Sequence, residues 1–388
     1  TPWYRPTRVN HAISGAEFGW RNGAGKWPAF YPDSFGAVVN VGPGSPTGVA
    51  FGYGAKFPAK YQEALFICDW SYGKLYAVHM EPTGATYTAQ LEEFITGTPL
   101  PLTDLVVNPK DGALYFMIGG RKTQSGLYRV TYVGDESTAP SMPKPDKFVA
   151  ARELRHKLEA LHKPDPTAVA SAWPYLGHAD RAIRFAARTA VEHQPPAEWQ
   201  EKALAEKDPA AAIYALLALA RATATDPFHR KPTDPTPSPE LGAKILAALE
   251  AIDFGALSQG QKLDYVRVYH VLFNRFGKPD ETAVKRTIAW MEKAVPAESP
   301  ELNVLLCNVL VYLEAPSAAA KTMALLESAP TQEEQIDYAR ALRVLKTGWT
   351  PELRKAYFTW CLKAMSYRGG ASFGLFVQNI KNDAVATL

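Results

Sequence analysis

Hydrophobic and polar positions follow one rhythm in the first third of the chain and another in the rest. From Ser45 to Tyr132 the apolar residues come in runs of about 4–8, β-branched or aromatic, cut apart by Gly, Pro, Asn and Asp. That pattern predicts strands over Gly48–Gly52, Ala64–Asp69, Leu75–Met80, Gln90–Ile95, Asp104–Asn108, Ala113–Ile118 and Gly126–Tyr132. Turns are expected at Pro82-Thr83-Gly84 and Pro109-Lys110-Asp111-Gly112. The strand spacing is that of propeller blades. Residues 1–44 are rich in Gly, Pro and aromatics; Arg5–Asn10 fits one strand and the remainder reads as long ordered loops.

After a spacer at residues 134–147 that carries Pro140, Pro143 and Pro145, the apolar spacing becomes helical. Helices are expected over Pro239–Ala251, Gln259–Phe276, Glu281–Lys293, Pro300–Leu313, Ala318–Ser328, Gln332–Lys346 and Pro351–Tyr367. Two earlier helices announce themselves by their caps, Asp180 before one and Asp208-Pro209 at the start of the next. Helix pairs recurring every 35–45 residues or so suggest an α-solenoid of the HEAT or armadillo type. The Pro-rich stretch between Ala224 and Pro239 interrupts it. The expected fold is thus a β part followed by an α part: a partial β-propeller of two to three blades (1–133), the linker (134–147) and a helical repeat domain (148–388). A closed ring takes at least about four blades, so another polypeptide is expected to complete it.

Composition adds limits. The 388 residues are 47% hydrophobic with net charge +3, which suits a chain with sizeable cores and gives no clustered basic stripe for nucleic acid. No run of about 20 apolar residues is present to span a membrane. Cys68, Cys307 and Cys361 have no metal-ligand spacing and no C-x-x-C-H; buried thiols or a Cys307–Cys361 disulfide are the alternatives. Thr1-Pro2-Trp3-Tyr4 reads as the middle of a folded segment, so a processed or truncated piece of a longer protein is expected.

Several short pieces in fixed order resemble the soluble quinoprotein sugar dehydrogenases. They are Gly15-Ala16-Glu17-Phe18-Gly19-Trp20-Arg21, Ser45-Pro46-Thr47-Gly48, Lys56-Phe57-Pro58, Leu65-Phe66-Ile67, Lys74-Leu75-Tyr76, Asp104-Leu105, Lys110-Asp111-Gly112-Ala113-Leu114-Tyr115 and Gly126-Leu127-Tyr128-Arg129-Val130. The whole set, with Trp3–His11 and Asp69–Gly73, is similar to large planctomycete and verrucomicrobial proteins described as membrane-bound dehydrogenase or haem-binding-domain proteins. The resemblance implies a propeller, HEAT-like repeats and a downstream cytochrome c domain that these residues do not include. It implies a periplasmic location, Ca²⁺ or pyrroloquinoline quinone (PQQ) in the complete propeller, and a c-type cytochrome as electron partner. The ring would be completed by the N-terminal part of the same precursor or by another protein. The family's catalytic histidine belongs to an earlier blade, and its Arg-x-Arg-Asp segment stands here as Leu100-Pro101-Leu102-Thr103-Asp104. The cation expected in the preceding hairpin falls at Asp69–Tyr72, which is acidic and aromatic.

Candidate chemistry follows from residue type and position. His11 is the candidate base. Arg8, Glu17, Trp20, Arg21 and Trp70 are candidates for cofactor binding, with Trp27 and Tyr31 as further stacking faces; Glu17–Arg21 as a plain ion pair is the alternative. Asp33, Asp69 and Asp104 are candidate Ca²⁺ ligands, or else turn caps. Two function classes stay open: a binding and scaffold module in a redox assembly, and the active part of a quinone-dependent sugar or alcohol dehydrogenase.

Overall fold

The computed structural model describes residues 6–19, 27–120, 122–142, 145–370 and 373–388. The chain falls into two compact units, Thr1–Ile13 with Gly36–Leu154 and Ser14–Phe35 with Arg155–Leu388. The division differs from the one read in the sequence at two places: residues 14–35 join the helices, and the unit boundary lies beyond the spacer. Part of the spacer is tied to the β unit, where the Gln62 side chain donates to the Ala139 carbonyl at 2.9 Å and accepts from Ser141 N–H at 2.9 Å.

The β unit holds three antiparallel sheets among its described residues. Strands β1 (Thr7–Val9) and β2 (Val39–Gly42) pair as a short ribbon. Strands β3 (Pro46–Phe51), β4 (Leu65–Asp69), β5 (Lys74–Thr83) and β6 (Thr86–Thr96) form an up-and-down sheet in sequence order. Strands β7 (Leu102–Val107), β8 (Leu114–Gly120) and β9 (Thr123–Val130) form another. Alternation sends successive side chains to opposite faces. Phe66, Cys68, Leu75 and Ala77 therefore meet Leu102, Leu105, Leu114 and Phe116 in one core. Ile67, Tyr76 and Val78, on the other face of the same sheet, meet Val9, Val39 and Val41 in a second. The three sheets stack in series through these two cores.

The seven predicted strands all exist, with ends displaced. The β5–β6 hairpin runs further than expected, because Pro82 stays in the ladder opposite Tyr87 and the turn closes at Thr83↔Thr86. Strand β2 escaped the reading because its partner β1 lies some thirty residues earlier and neither alternates for long.

Capping fixes the helices. Asp180 accepts from Ala182 and Ile183 N–H at 2.8 and 3.3 Å. Asp208 accepts from Ala211 N–H at 2.8 Å, and Ser258 with Gln261 forms a capping box. Helices Arg181–Glu192, Pro209–Thr223, Gln259–Phe276, Pro300–Tyr312 and Gln332–Leu342 pack each against the next as a row. Helices Gln200–Ala205, Pro239–Glu250, Glu281–Ala294, Ala318–Ser328 and Pro351–Ala364 alternate with them along the chain. Pro209–Thr223 is buried over Ala211–Ala220 without a break, as expected of a helix apolar on all sides. The predicted Gln332–Lys346 and Pro351–Tyr367 end earlier, at Leu342 and Ala364.

Candidate functional site

In the β unit the sequence candidates serve the fold. His11 Nδ1 is hydrogen-bonded to Thr86 Oγ1 at 3.0 Å, and its ring stands edge-on to Tyr87 with centroids 5.1 Å apart. Arg8 pairs with Asn40 across the β1–β2 ribbon. Asp69 closes the β4–β5 turn, its Oδ1 accepting from Ser45, Ser71 and Tyr72 N–H at 3.2, 2.7 and 3.2 Å. Trp70 Nε1 donates to the Gly119 carbonyl at 2.8 Å. Asp104 Oδ1 accepts from Leu105 N–H at 2.8 Å. The adjacent Cys68 thiol is pushed up to about 12, by burial first and the Asp104 charge second. All three cysteines are buried free thiols.

No group of three or more His, Cys, Asp or Glu among the described residues is placed to hold a metal ion. A quinone tricarboxylate needs cations, and where the resemblance expects them the chain offers Asp69, Trp70, Tyr72 and Asp104. Trp20 and Arg21 lie outside the described residues. Glu17 Oε1 accepts from Gly19 N–H at 2.6 Å.

Asp33 lies in the helical unit, and its carboxylate is committed to arginines. Arg267 donates from Nε to Oδ1 and from Nη2 to Oδ2, each at 3.0 Å. Arg221 adds Nη1 to Oδ2 at 3.3 Å and reaches Glu192 with Nε at 2.8 Å, and Arg188 pairs with the same Glu192. The Arg267 guanidinium lies 4.4 Å from the Trp27 ring centroid and 4.0 Å from that of Tyr31. Burial works to raise the Asp33 pKa, but Arg267 and then Arg221 and Arg188 hold it well below the usual carboxylate range. The candidate Ca²⁺ ligand is therefore the anion of a buried ionic network, and the rings read as stacking faces pack on its arginine.

The most chemically equipped cavity lies elsewhere in the helical unit. It has a volume of about 390 Å³ and is lined by Arg181, Arg184, Tyr214, Gln261 and Asp264, with Phe30 at its wall. These residues sit in the first two turns of Arg181–Glu192, Pro209–Thr223 and Gln259–Phe276. Arg181 is anchored by Nη2 to the Tyr31 and Ser34 carbonyls at 2.5 and 2.6 Å. Arg184 is anchored by Nη1 to the His178 and Ala179 carbonyls at 2.6 and 2.9 Å, with its guanidinium 5.1 Å from the Tyr214 ring centroid. The Tyr214 hydroxyl is buried between groups that act on it, Arg184 and Asp264, but makes no close, well-aligned hydrogen bond. Burial pushes it up to about 12. Burial also raises the Asp264 carboxyl to about 6, against the pull of Arg184 and Arg181. A carboxyl that titrates near neutrality, a phenol and two fixed guanidiniums can bind an anion and exchange a proton with it.

The sequence reading missed all four of these side chains. Only Arg181 and Arg184, one turn apart after the Asp180 cap, gave a local signal. Compared with family models, curated proteins and solved structures, the chain matches none.

Proposed function

We propose that this chain is a binding and scaffold module of a periplasmic, dehydrogenase-like propeller protein. On this reading its sheets are the last blades of a ring, its helices a HEAT-like solenoid, and its setting a redox assembly with a c-type cytochrome. The observation that carries the reading is the outward face of β7–β9. Val106, Met117 and Leu127 are 57%, 51% and 67% exposed there, and Met117 and Leu127 are direct cross-strand neighbours. The other interfaces in this stack of sheets are filled by a sheet with a matching apolar face. The complement of this one is a further antiparallel sheet about 10 Å away. We assign that sheet to the N-terminal part of the same precursor.

The absence of cations at the positions expected to hold a quinone, and the use of Asp69 and Trp70 at the β4–β5 turn and of Asp104 within β7, favour binding over catalysis. Two measurements test the reading. Denaturing intact-mass and peptide mass spectrometry on the native material should find a second polypeptide carrying earlier blades. A single species near 42.6 kDa that remains monomeric would count against ring completion. PQQ, Ca²⁺, a panel of sugars and an artificial electron acceptor should give no dye reduction by folded protein. Sugar-dependent reduction would instead establish the dehydrogenase.

A further inference from the structure

We propose that the cavity framed by Arg181, Arg184, Tyr214 and Asp264 binds a small ligand through a carboxylate or phosphate group held by the two guanidiniums. Four observations converge on it. Its volume of about 390 Å³ lies in the range of small-molecule sites, about 300–1,000 Å³. The N-terminal turns of three helices, each longer than two turns, open on it, and helix N-termini favour negative charge. Arg181 and Arg184 each spend one nitrogen on backbone carbonyls. Those bonds fix the planes of the guanidiniums and leave their other edges for a planar oxyanion. Finally, the Tyr214 hydroxyl is buried beside them, acted on by Arg184 and Asp264 but without a close, well-aligned hydrogen bond, and a hydroxyl so placed ordinarily has one. A ligand oxygen supplies it.

Asp264 sets how binding responds to pH. The groups acting on it are Arg184 and Arg181 from one helix, Tyr214 from the second, and Asp33 from the N-terminal segment. Protonated, it donates to the bound anion; ionised, it repels it. Affinity for an anion of constant charge therefore rises as pH falls through the Asp264 titration.

Isothermal titration calorimetry on the whole chain tests this, with inorganic phosphate and succinate at pH 7.5 to separate the two ligand sources. Sulfate at pH 5.5 and 7.5 gives the pH response, because its own charge stays fixed over that range. At least one anion should bind, and Arg184→Ala should weaken it about tenfold or more, the loss of a charge-assisted hydrogen bond. Asp264→Asn should bind sulfate at pH 7.5 as tightly as the parent does at pH 5.5. Circular dichroism checks the fold of each variant; if Arg184→Ala does not fold, Asp264→Asn and Tyr214→Phe decide. No heat with any anion at millimolar concentration, undiminished binding by folded Arg184→Ala, or affinity that climbs with pH would overturn the proposal.

Discussion

Arg267 grips Asp33 at two points, 3.0 Å from each carboxylate oxygen, across 234 residues of sequence. Both partners are buried, so each depends on the other for its charge. Asp33→Asn would leave the guanidinium in the interior without its anion, at a cost of about 3–5 kcal/mol. Arg267→Lys should recover little, since an ammonium cannot reproduce the fork. Urea unfolding of the helical unit, followed by circular dichroism, reads the cost; a loss below about 1 kcal/mol, the scale of a surface pair, would refute the account. The sign of the pH effect follows from the lowered Asp33 pKa. Its contribution is fully present above the unfolded value of 3.8 and is lost as pH falls below it towards the folded one.

This pair also shows why the unit boundary was not legible in the sequence. Ser14–Phe35 reads as one more Gly- and aromatic-rich loop, and what attaches it to the helices is a side-chain grip on a residue far downstream. Phe35 against Phe185, with ring centroids 4.5 Å apart, is of the same kind. Elements that carry their own signal were legible. Leu114–Gly120 alternates in and out, and Pro209–Thr223 begins with its cap and first-turn proline. The cavity was not, since Arg184, Tyr214 and Asp264 stand on three separate helices and only tertiary packing joins them. Asp69 and Asp104, read as ligands or else turn caps, bond nearby backbone N–H, Asp69 at the β4–β5 turn and Asp104 within β7, a local use that sequence does not separate from ligation.

Two buried groups give stability opposite slopes in mildly acid solution. His270 Nε2 donates to the Leu305 carbonyl at 2.9 Å, and burial, with Arg267 nearby, lowers its pKa from 6.5 to about 4. In that window the unfolded chain binds the proton and the folded one does not, so the His270 contribution is complete above 6.5 and drains away as pH falls towards 4. Asp264, raised from 3.8 to about 6, acts the other way: the folded state holds its proton, and stability is lost as pH rises through 6. His270→Gln should therefore flatten the fall in stability on acidification. Asp264→Asn should stabilise at pH 7.5 and have little effect near pH 4. Urea midpoints measured from pH 4 to 7.5 test both; a His270→Gln curve parallel to the parent's would exclude the first assignment.

Gly112 ends the Asn108–Gly112 turn between β7 and β8, with φ of +70°. Its N–H donates to Asn108 O at 2.8 Å and its carbonyl accepts from Lys56 N–H at 2.8 Å. A Cβ there would come within 2.6 Å of Lys56 Cγ and 3.0 Å of Lys56 N. Gly112→Ala therefore combines a left-handed backbone cost of about 1–2 kcal/mol with a clash against a neighbouring backbone. Gly54, at φ +80° with open space around it, isolates the first term, so Gly54→Ala should be the milder change. Thermal unfolding of the two variants makes the comparison, and equal losses would show that the Lys56 contact yields freely.

Leu127 separates folding from assembly. It is 67% exposed on the outer face of β9, beside Met117, and it contributes nothing to either core between the sheets. Leu127→Glu should then leave stability within about 0.5 kcal/mol of the parent, as surface substitutions do. If a further sheet covers this face, the same change puts a carboxylate into an apolar interface, where desolvation is costly. Co-purification with the N-terminal part of the precursor should fall sharply. Val133→Glu, more exposed still but outside the strand, should leave it intact. Sedimentation of the isolated chain adds a second reading. Self-association that Leu127→Glu abolishes would mean that a second copy occupies the face, whereas capture of the precursor part that survives Leu127→Glu would place ring closure on some other surface.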